Sequence, residues 1–341
     1  SLALREARTA LFGEFTRLIP IPKEIGHITR ITARGIHSPM SMAQPAASER
    51  ATLRIGVVGV GARADIAKHF ELPRLNCRIT AAADPHPDAE ARLPRRLGRS
   101  DIKLTRNVTE LIAEGIDAAL VTSPDDTHAK VTCELLRAGI PVYVEKPLAT
   151  CMDDAIEILR TAHETGTKLY VGHNMRHMHV VRSMRDLIRR GAIGEVKAIW
   201  CRHFVGNGGD YYFKDWHATR EHATGLLLQK AAHDLDVMHW LAGSHTEQVT
   251  AMGGLTLYDR ITDREDRSGQ LLGDWFDMGN WPPLSQKGLN PVVDVEDISM
   301  MLMRMESGLF ASYQQCHYTP DYWRNYTVIG TEGRIENFGD Y

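Results

Sequence analysis

The sequence predicts an α/β chain: a doubly wound parallel sheet, followed by an α+β half with a large, mostly antiparallel open sheet. Three observations carry that prediction. Between residues 53 and 172, short apolar runs alternate with helix-like segments, the grammar of parallel βαβ units. A glycine-rich turn, Gly59-Val60-Gly61-Ala62-Arg63-Ala64, joins the first apolar run to a helical segment. Beyond about Met175 the period changes to long stretches that alternate apolar and polar residues, as a sheet covered on one face requires.

Each element follows from local pattern. Residues 53–58 (LRIGVV) form a short buried-strand run, and a helical segment extends to about Phe70. Residues 77–84 (CRITAAAD) are a second run, followed by helix-like stretches from Pro87 to Leu97 and from Val108 to Gly115. The run 116–123 is the fourth strand. Asp125–Gly139 then reads as a helix closed by glycine, which tolerates the left-handed cap. Pro141–Glu145 is the fifth strand, Met152–Thr165 a helix and Lys168–Gly172 the sixth strand. In the second half, helix Val180–Arg190 leads to a strand over Glu195–Phe204, a Gly- and aromatic-rich loop, and helix Gly225–Ala242. Several long strands close the chain, among them Glu296–Met305, Gly308–His317 and Trp323–Gly330.

The 341 residues have the length of about two domains. With 43% hydrophobic and 24% charged residues, the composition is that of an ordinary globular protein. Forty Lys and Arg against 43 Asp and Glu leave a net charge of -3, which argues against nucleic acid as a partner. No apolar stretch approaches the roughly 18 residues of a membrane span. Cys77, Cys133, Cys151, Cys201 and Cys316 are scattered and never spaced as CxxC, so they read as reduced thiols of a cytoplasmic protein. The domain reading is an N-terminal extension over 1–50, an α/β domain over 51–175 that carries the glycine turn of a dinucleotide site, and an α+β domain over 176–341. The extension is either upstream sequence, with Met40 or Met42 as the natural start, or a docking arm for a partner subunit.

The glycine turn carries the first chemistry. Gly59 permits the tight turn, Gly61 lets the backbone approach a pyrophosphate, and Ala64 allows close helix–strand packing. Ala62 and Arg63 open the helix, whose free N–H groups would face the phosphates of a Rossmann-bound dinucleotide. Asp84 ends the next strand, where a carboxylate accepts hydrogen bonds from the adenosine ribose and favours NAD over NADP. Ser123-Pro124-Asp125-Asp126-Thr127-His128 follows the fourth strand at the ligand-binding edge, and Asp125 and Asp126 read first as helix caps. Glu145-Lys146-Pro147 ends the fifth strand at the same edge, within reach of a nicotinamide and a substrate hydroxyl.

These motifs, in this order and ahead of an α+β half, resemble the Gfo/Idh/MocA family, the glucose-fructose oxidoreductase and inositol dehydrogenase relatives. The resemblance runs from about residue 52 to the end. It implies NAD(P)-dependent redox chemistry on a sugar, polyol or sugar derivative, with NAD preferred. It places Ser123, Pro124, His128 and Glu145 at the cofactor, and equates Lys146 with the family's lysine and His233 with its catalytic histidine. Asn174 and Arg176 become substrate-side contacts, and pairing through the open face of the second sheet implies a homodimer or homotetramer.

One position departs from the family pattern. Four residues before the histidine, where the family often has Asp, this chain has Gln229. Gln229, His233 and Asp236 share one helix face, and glutamine can orient a hydroxyl but not take its proton. The base is then His233 or Lys146. Lys230 and Asp234 read as a helix-stabilising i, i+4 ion pair, with Asp234 kept as a second-rank substrate candidate. His173, His177 and His179 lack a carboxylate or cysteine at ligand spacing, so no metal is expected. In the loop Gly206–His217, Tyr212 and Trp216 offer flat faces to a sugar ring, or else plug the base of the loop. The leading function is an NAD-dependent dehydrogenase. The alternatives are an NAD-dependent glycosidase working by transient oxidation and elimination, and a non-catalytic NAD- and sugar-binding regulator. The chain's end, after the turn at Gly330-Thr-Glu-Gly333, is expected to leave an exposed apolar face or an open strand edge.

Overall fold

Two six-stranded sheets organise the protein, here a computed structural model describing residues 52–71, 76–206, 211–270, 272–277 and 279–338. The readings made for residues 1–50 lie outside the described residues. The first sheet comprises β1 (Leu53–Val58), β2 (Cys77–Ala83), β3 (Lys103–Thr105), β4 (Ala118–Val121), β5 (Val142–Val144) and β6 (Leu169–Val171). Its order is β3-β2-β1-β4-β5-β6 and every pairing is parallel. Helices α1 (Ala89–Leu97), α2 (Val108–Ala113), α3 (His128–Arg137) and α4 (Met152–Thr165) supply the crossovers. Alternate strand residues feed two separate cores. Ile55, Val57, Ile79 and Leu120 pack with Leu93 and Leu97, whereas Val58, Ala81, Val121 and Val144 pack with Leu135 and Ile158. Burial on both faces is what makes these strands continuously apolar. The strand order reverses between β1 and β4, so a crevice opens at their carboxyl ends.

The second sheet runs β12-β11-β7-β10-β9-β8, from β7 (Val196–Gly206), β8 (Thr246–Gly254), β9 (Ile298–Met305), β10 (Phe310–Thr319), β11 (Trp323–Gly330) and β12 (Arg334–Glu336). Its pairings are antiparallel except β7 with β10, which is parallel. Helices α5 (His179–Arg189) and α6 (Leu226–Ala242) cover one face over Met301, Met303, Met305, Tyr313, Tyr326 and Val328. The opposite face leaves Val249, Met252, Met300, Leu302 and Phe310 exposed.

Several sequence readings shift. The segment Ala62–Phe70 winds as a 3-10 helix rather than α. β3 is only three residues long, and β8, whose residues are nearly all exposed, carries no alternation to delimit it. The helix read over Asp125–Gly139 divides into a 3-10 turn, Asp125–Thr127, and α3. Neither Asp125 nor Asp126 caps it, because no side-chain cap bond forms at either start. Among the described residues no helix is long and apolar enough to cross a membrane.

Asp234 is corrected most. It is 0% exposed, and four side chains hold its carboxylate beneath the second sheet. Oδ1 accepts from Tyr326 Oη at 2.5 Å and pairs with Arg324 Nε at 3.1 Å. Oδ2 accepts from Tyr313 Oη at 3.0 Å and lies 2.9 Å from His203 Nδ1. Asp234 is thus an internal anchor of α6 and touches no open surface, while the Lys230 ammonium sits 4.6 Å from the Tyr212 ring centre.

Burial, opposed by Asp234, pushes His203 down to about 4. An unfolded histidine titrates near 6.5, so the unfolded chain binds more protons between pH 6.5 and 4, and stability falls as pH drops through that window. We expect this one residue to cost about 2–3 kcal/mol by pH 4. Chemical denaturation of the parent and of His203→Gln across pH 7 to 4 measures it as the difference between the two, since His239 titrates in the same window; an equal pH dependence in both would contradict the buried neutral imidazole.

Candidate functional site

The crevice at the carboxyl ends of β1 and β4 begins at the glycine turn. Gly59 has φ +88°, and a Cβ there would lie 2.7 Å from the Ser123 backbone, so only glycine fits. A Cβ on Gly61 would instead meet nothing within 4 Å, so its smallness serves no packing inside the chain. Asp84, expected at a ribose, is first of all the post of this turn: Oδ2 accepts the Val60 N–H at 2.7 Å and Oδ1 the His86 N–H at 2.8 Å.

Behind the turn, Glu145 is also already engaged. Arg63 Nη2 lies 3.0 Å from Glu145 Oε1, Tyr143 Oη donates to the same oxygen at 3.0 Å, and the Lys146 N–H donates to Oε2 at 3.3 Å. The Arg63–Glu145 pair therefore ties the glycine turn to the loop after β5. His128, expected at the cofactor, is fully buried instead. Its Nδ1 faces the Pro147 carbonyl at 2.7 Å and its Nε2 the Ser123 carbonyl at 3.1 Å, clasping the loops after β4 and β5 together. Ser123 Oγ bonds Thr127 Oγ1 at 2.5 Å, and Pro124 is exposed at the rim.

Lys146 crosses to the second half of the chain. Its Nζ donates to Gln229 Oε1 at 2.8 Å and to the Gln229 carbonyl at 2.9 Å on α6. Gln229 Nε2 in turn donates to Asp125 Oδ2 at 3.2 Å. Gln229 is thus buried between a lysine and an aspartate rather than offered to a substrate hydroxyl. Burial pushes Lys146 down to about 8, against the carboxylates of Asp125 and Glu145, which pull it back up. Burial likewise raises Asp125.

One turn further along α6, His233 is held well below its ordinary value, by burial first and then by Lys146 and Lys230. It is neutral at pH 7, and its buried Nδ1 has no hydrogen-bond partner among the described residues. A buried orphan nitrogen calls for a ligand or a water. Lys146 and His233, far apart in sequence, therefore meet in one electrostatic environment.

The wall expected from Asn174 and Arg176 is only half available. Asn174 is exposed, but Arg176 is held by Asp236 through Nε at 2.7 Å and Nη2 at 2.5 Å. His173 Nδ1 lies 3.5 Å from the same carboxylate, and His177 Nε2 lies 3.2 Å from Tyr170 Oη. Of the aromatic loop, residues 207–210 lie outside the described residues. Tyr212 is buried with Phe213, Tyr258 and Leu226, so it acts as a plug, whereas Trp216 is half-buried and stacks on His217 at 3.7 Å. Sequence reasoning missed Asp125 as a site residue: 104 positions separate it from Gln229, and no local pattern announces the contact.

The residues fit a dinucleotide. Open space in front of Gly61, the turn forced by Gly59 and the buried acid at the end of β2 form a cradle at the switch point. Residues 53–173 match the model of the oxidoreductase family with an NAD-binding Rossmann fold, and residues 181–336 that of the GFO/IDH/MocA C-terminal domain. A 2,7-anhydro-N-acetylneuraminate hydratase of Mediterraneibacter gnavus is 32% identical over 48% of this chain and 41% of its own length. An inositol 2-dehydrogenase of Rhizobium meliloti is 28% identical over 63% of this chain and 62% of its own. The chain thus spans less than two thirds of the length of these curated relatives. The WlbA dehydrogenase of Bordetella pertussis, solved with NADH and UDP-GlcNAcA, shares the fold with a TM-score of 0.66 at 20% identity, over 84% of this chain and 74% of that one.

The lowered Lys146 has a direct consequence. Competitive acetylation across pH, read at Lys146 by mass spectrometry, should show a midpoint near 8, against about 10.4 for an ordinary lysine. A midpoint at the ordinary value would remove the ammonium from the buried position.

Proposed function

The chain belongs to the GFO/IDH/MocA oxidoreductase family, and on that premise we propose that it is an NAD-dependent dehydrogenase acting on a CH–OH group of a sugar, polyol or sugar derivative. Residues 53–173 form the family's NAD-binding Rossmann domain. The observation that carries the activity is the pairing of unlike groups at the crevice: a half-buried lysine whose ammonium is fixed on Gln229, in the field of a neutral histidine with an unsatisfied nitrogen.

NAD, when bound, supplies the hydride acceptor. Gly59, Gly61, Ala62 and Arg63 would frame its pyrophosphate, Asp84 its ribose, and Ser123, Pro124 and the loop of Glu145 the approach to the nicotinamide. An acid at the end of β2 repels a 2′-phosphate, so NADP is disfavoured. The Lys146 ammonium binds the oxygen of the reacting hydroxyl and stabilises the negative charge that grows on it. His233, neutral through burial, takes the hydroxyl proton on its imidazole. Both groups need desolvation, which the closed contact between the two halves supplies. Asn174 and Trp216, both accessible, suit substrate hydroxyls and a ring face. A cytoplasmic location fits the five cysteines, all free thiols.

A second reading follows from the hydratase relative: the same groups serve a transient oxidation followed by elimination and addition of water. A panel of free sugars, polyols and glycosides, scored for NADH absorbance and for released aglycone, separates the two. We expect net NADH, and loss of about a hundredfold or more in kcat for Lys146→Met and for His233→Ala. Aglycone release without net NADH would favour the second reading. NAD binding with no turnover of any substrate would leave the regulator.

The outer face of the second sheet supports assembly into a homodimer or homotetramer. Met252, Leu302 and Phe310 stand 73%, 66% and 66% exposed there, a patch that calls for a cover. Leu302→Glu with Phe310→Glu should lower the mass seen by analytical ultracentrifugation. An unchanged assembly would place the contact elsewhere.

A further inference from the structure

Asp125 sits in the nucleotide-binding half, at the start of the 3-10 turn after β4, yet its carboxylate serves neither that turn nor α3. It is buried, and its hydrogen bond goes across the chain to Gln229. The direction of the amide between them is not in doubt. Lysine is only a donor and a carboxylate only an acceptor, so Gln229 must turn Oε1 to Lys146 and Nε2 to Asp125. We propose that Asp125 is the positioning carboxylate of Lys146, acting through the Gln229 amide in place of a carboxylate on α6 itself. The inference rests on the reading of Lys146 as a catalytic residue.

The chemistry of the amide defines the role. A glutamine side chain does not pass a proton along, so Asp125 neither receives the substrate proton nor feeds it to Lys146. Its negative charge polarises the amide, which sharpens the acceptor facing the ammonium and holds Lys146 in its charged form. The groups facing Lys146 come from every element around it: Asp125 after β4, Glu145 beside it after β5, His173 after β6, Arg63 from the glycine turn, His233 from α6 and Arg324 from β11. Arg63 and Arg324 oppose the ammonium, and Glu145 is already engaged by Arg63. Asp125 heads the influences that raise the lysine, and it acts through a bond that spans the two halves. Lys146 is therefore fully oriented only when the halves are docked.

The test uses the full chain and competitive acetylation of Lys146 across pH, read by mass spectrometry without turnover. Asp125→Asn keeps the shape and removes the charge. It should lower the Lys146 midpoint by about one to two pH units, and the alkaline limb of the kcat profile by a similar amount. Adding Gln229→Asp to Asp125→Asn puts a charge back beside the lysine and should return the midpoint to the parent value or above it. Should Asp125→Asn fail to fold, Gln229→Met cuts the bridge with Asp125 intact, and it too should lower the midpoint. A midpoint that stays within about 0.3 pH unit of the parent in Asp125→Asn, or that Gln229→Asp fails to restore, overturns the proposal. A chain that turns over no substrate would leave the labelling result standing, and an unmoved midpoint would leave the dehydrogenase reading standing, so the two fail separately.

Discussion

A buried ammonium cannot stand without acceptors, and at Lys146 those acceptors come from the other half of the protein. Taking a lysine out of water is costly enough to neutralise it unless hydrogen bonds and opposite charge hold the proton in place. The loop after β5 can supply the lysine but not its partners, since Glu145 is committed to Arg63 and Tyr143. Gln229 on α6 closes the gap, and so the crevice of the first sheet has its chemistry only when α6 is seated against it. Two further ties between the halves are weaker. Asp126 to His222 at 3.1 Å is a largely exposed pair, of the kind worth little on its own, and Thr224 Oγ1 to the Thr150 carbonyl at 2.8 Å is a single neutral bond.

Seating α6 demands that the helix be fixed in rotation, and Asp234 does this from the opposite side. It follows His233 directly, so the two side chains leave the helix about 100° apart. With the Asp234 carboxylate locked onto β7, β10 and β11 by His203, Tyr313, Tyr326 and Arg324, the rotation of α6 is fixed and with it the face from which His233 leaves the helix. An apolar residue at 234 could stabilise the core as well as the ion pair does. What it could not do is specify the rotation to within one side chain, because apolar contacts slide where hydrogen bonds to a carboxylate do not.

Much of this was legible in the chain. The apolar runs before Gly59 and after Gly139 had to be buried strands, and the alternation over Ile298–Met305 had to be a one-faced sheet, as both are. Lys146 and His233 were legible through the resemblance their motifs carry, and the structure brings them into one electrostatic environment. The polar partners were hidden. Asp234 read as half of a local pair with Lys230 because i, i+4 spacing is visible in sequence, whereas its contact with Arg324 lies 90 positions away and is a product of tertiary packing. His128, Arg176 and Glu145 read as ligand contacts for the same reason. A polar residue at a binding edge looks identical in sequence whether it faces a ligand or braces the loop that does.

Position 229 then takes on a physical meaning. A carboxylate bonded directly to the ammonium would lie at an ion-pair separation of roughly 3 Å, whereas Asp125 acts from beyond an amide and a second hydrogen bond, a separation on the order of 6 to 7 Å. In a medium of effective dielectric about 20, those separations correspond to about 5 and 2.5 kcal/mol of attraction, a difference of about two pH units in the lysine. A neutral spacer between two charges is therefore a way of setting a lysine rather than of losing a base. It leaves the ammonium bound but releasable near pH 8, while the unpaired lone pair of the site stays with His233. On the proposed dehydrogenase reading, the substrate's proton would go to His233 below about pH 8, where Lys146 holds its own and the glutamine can take none.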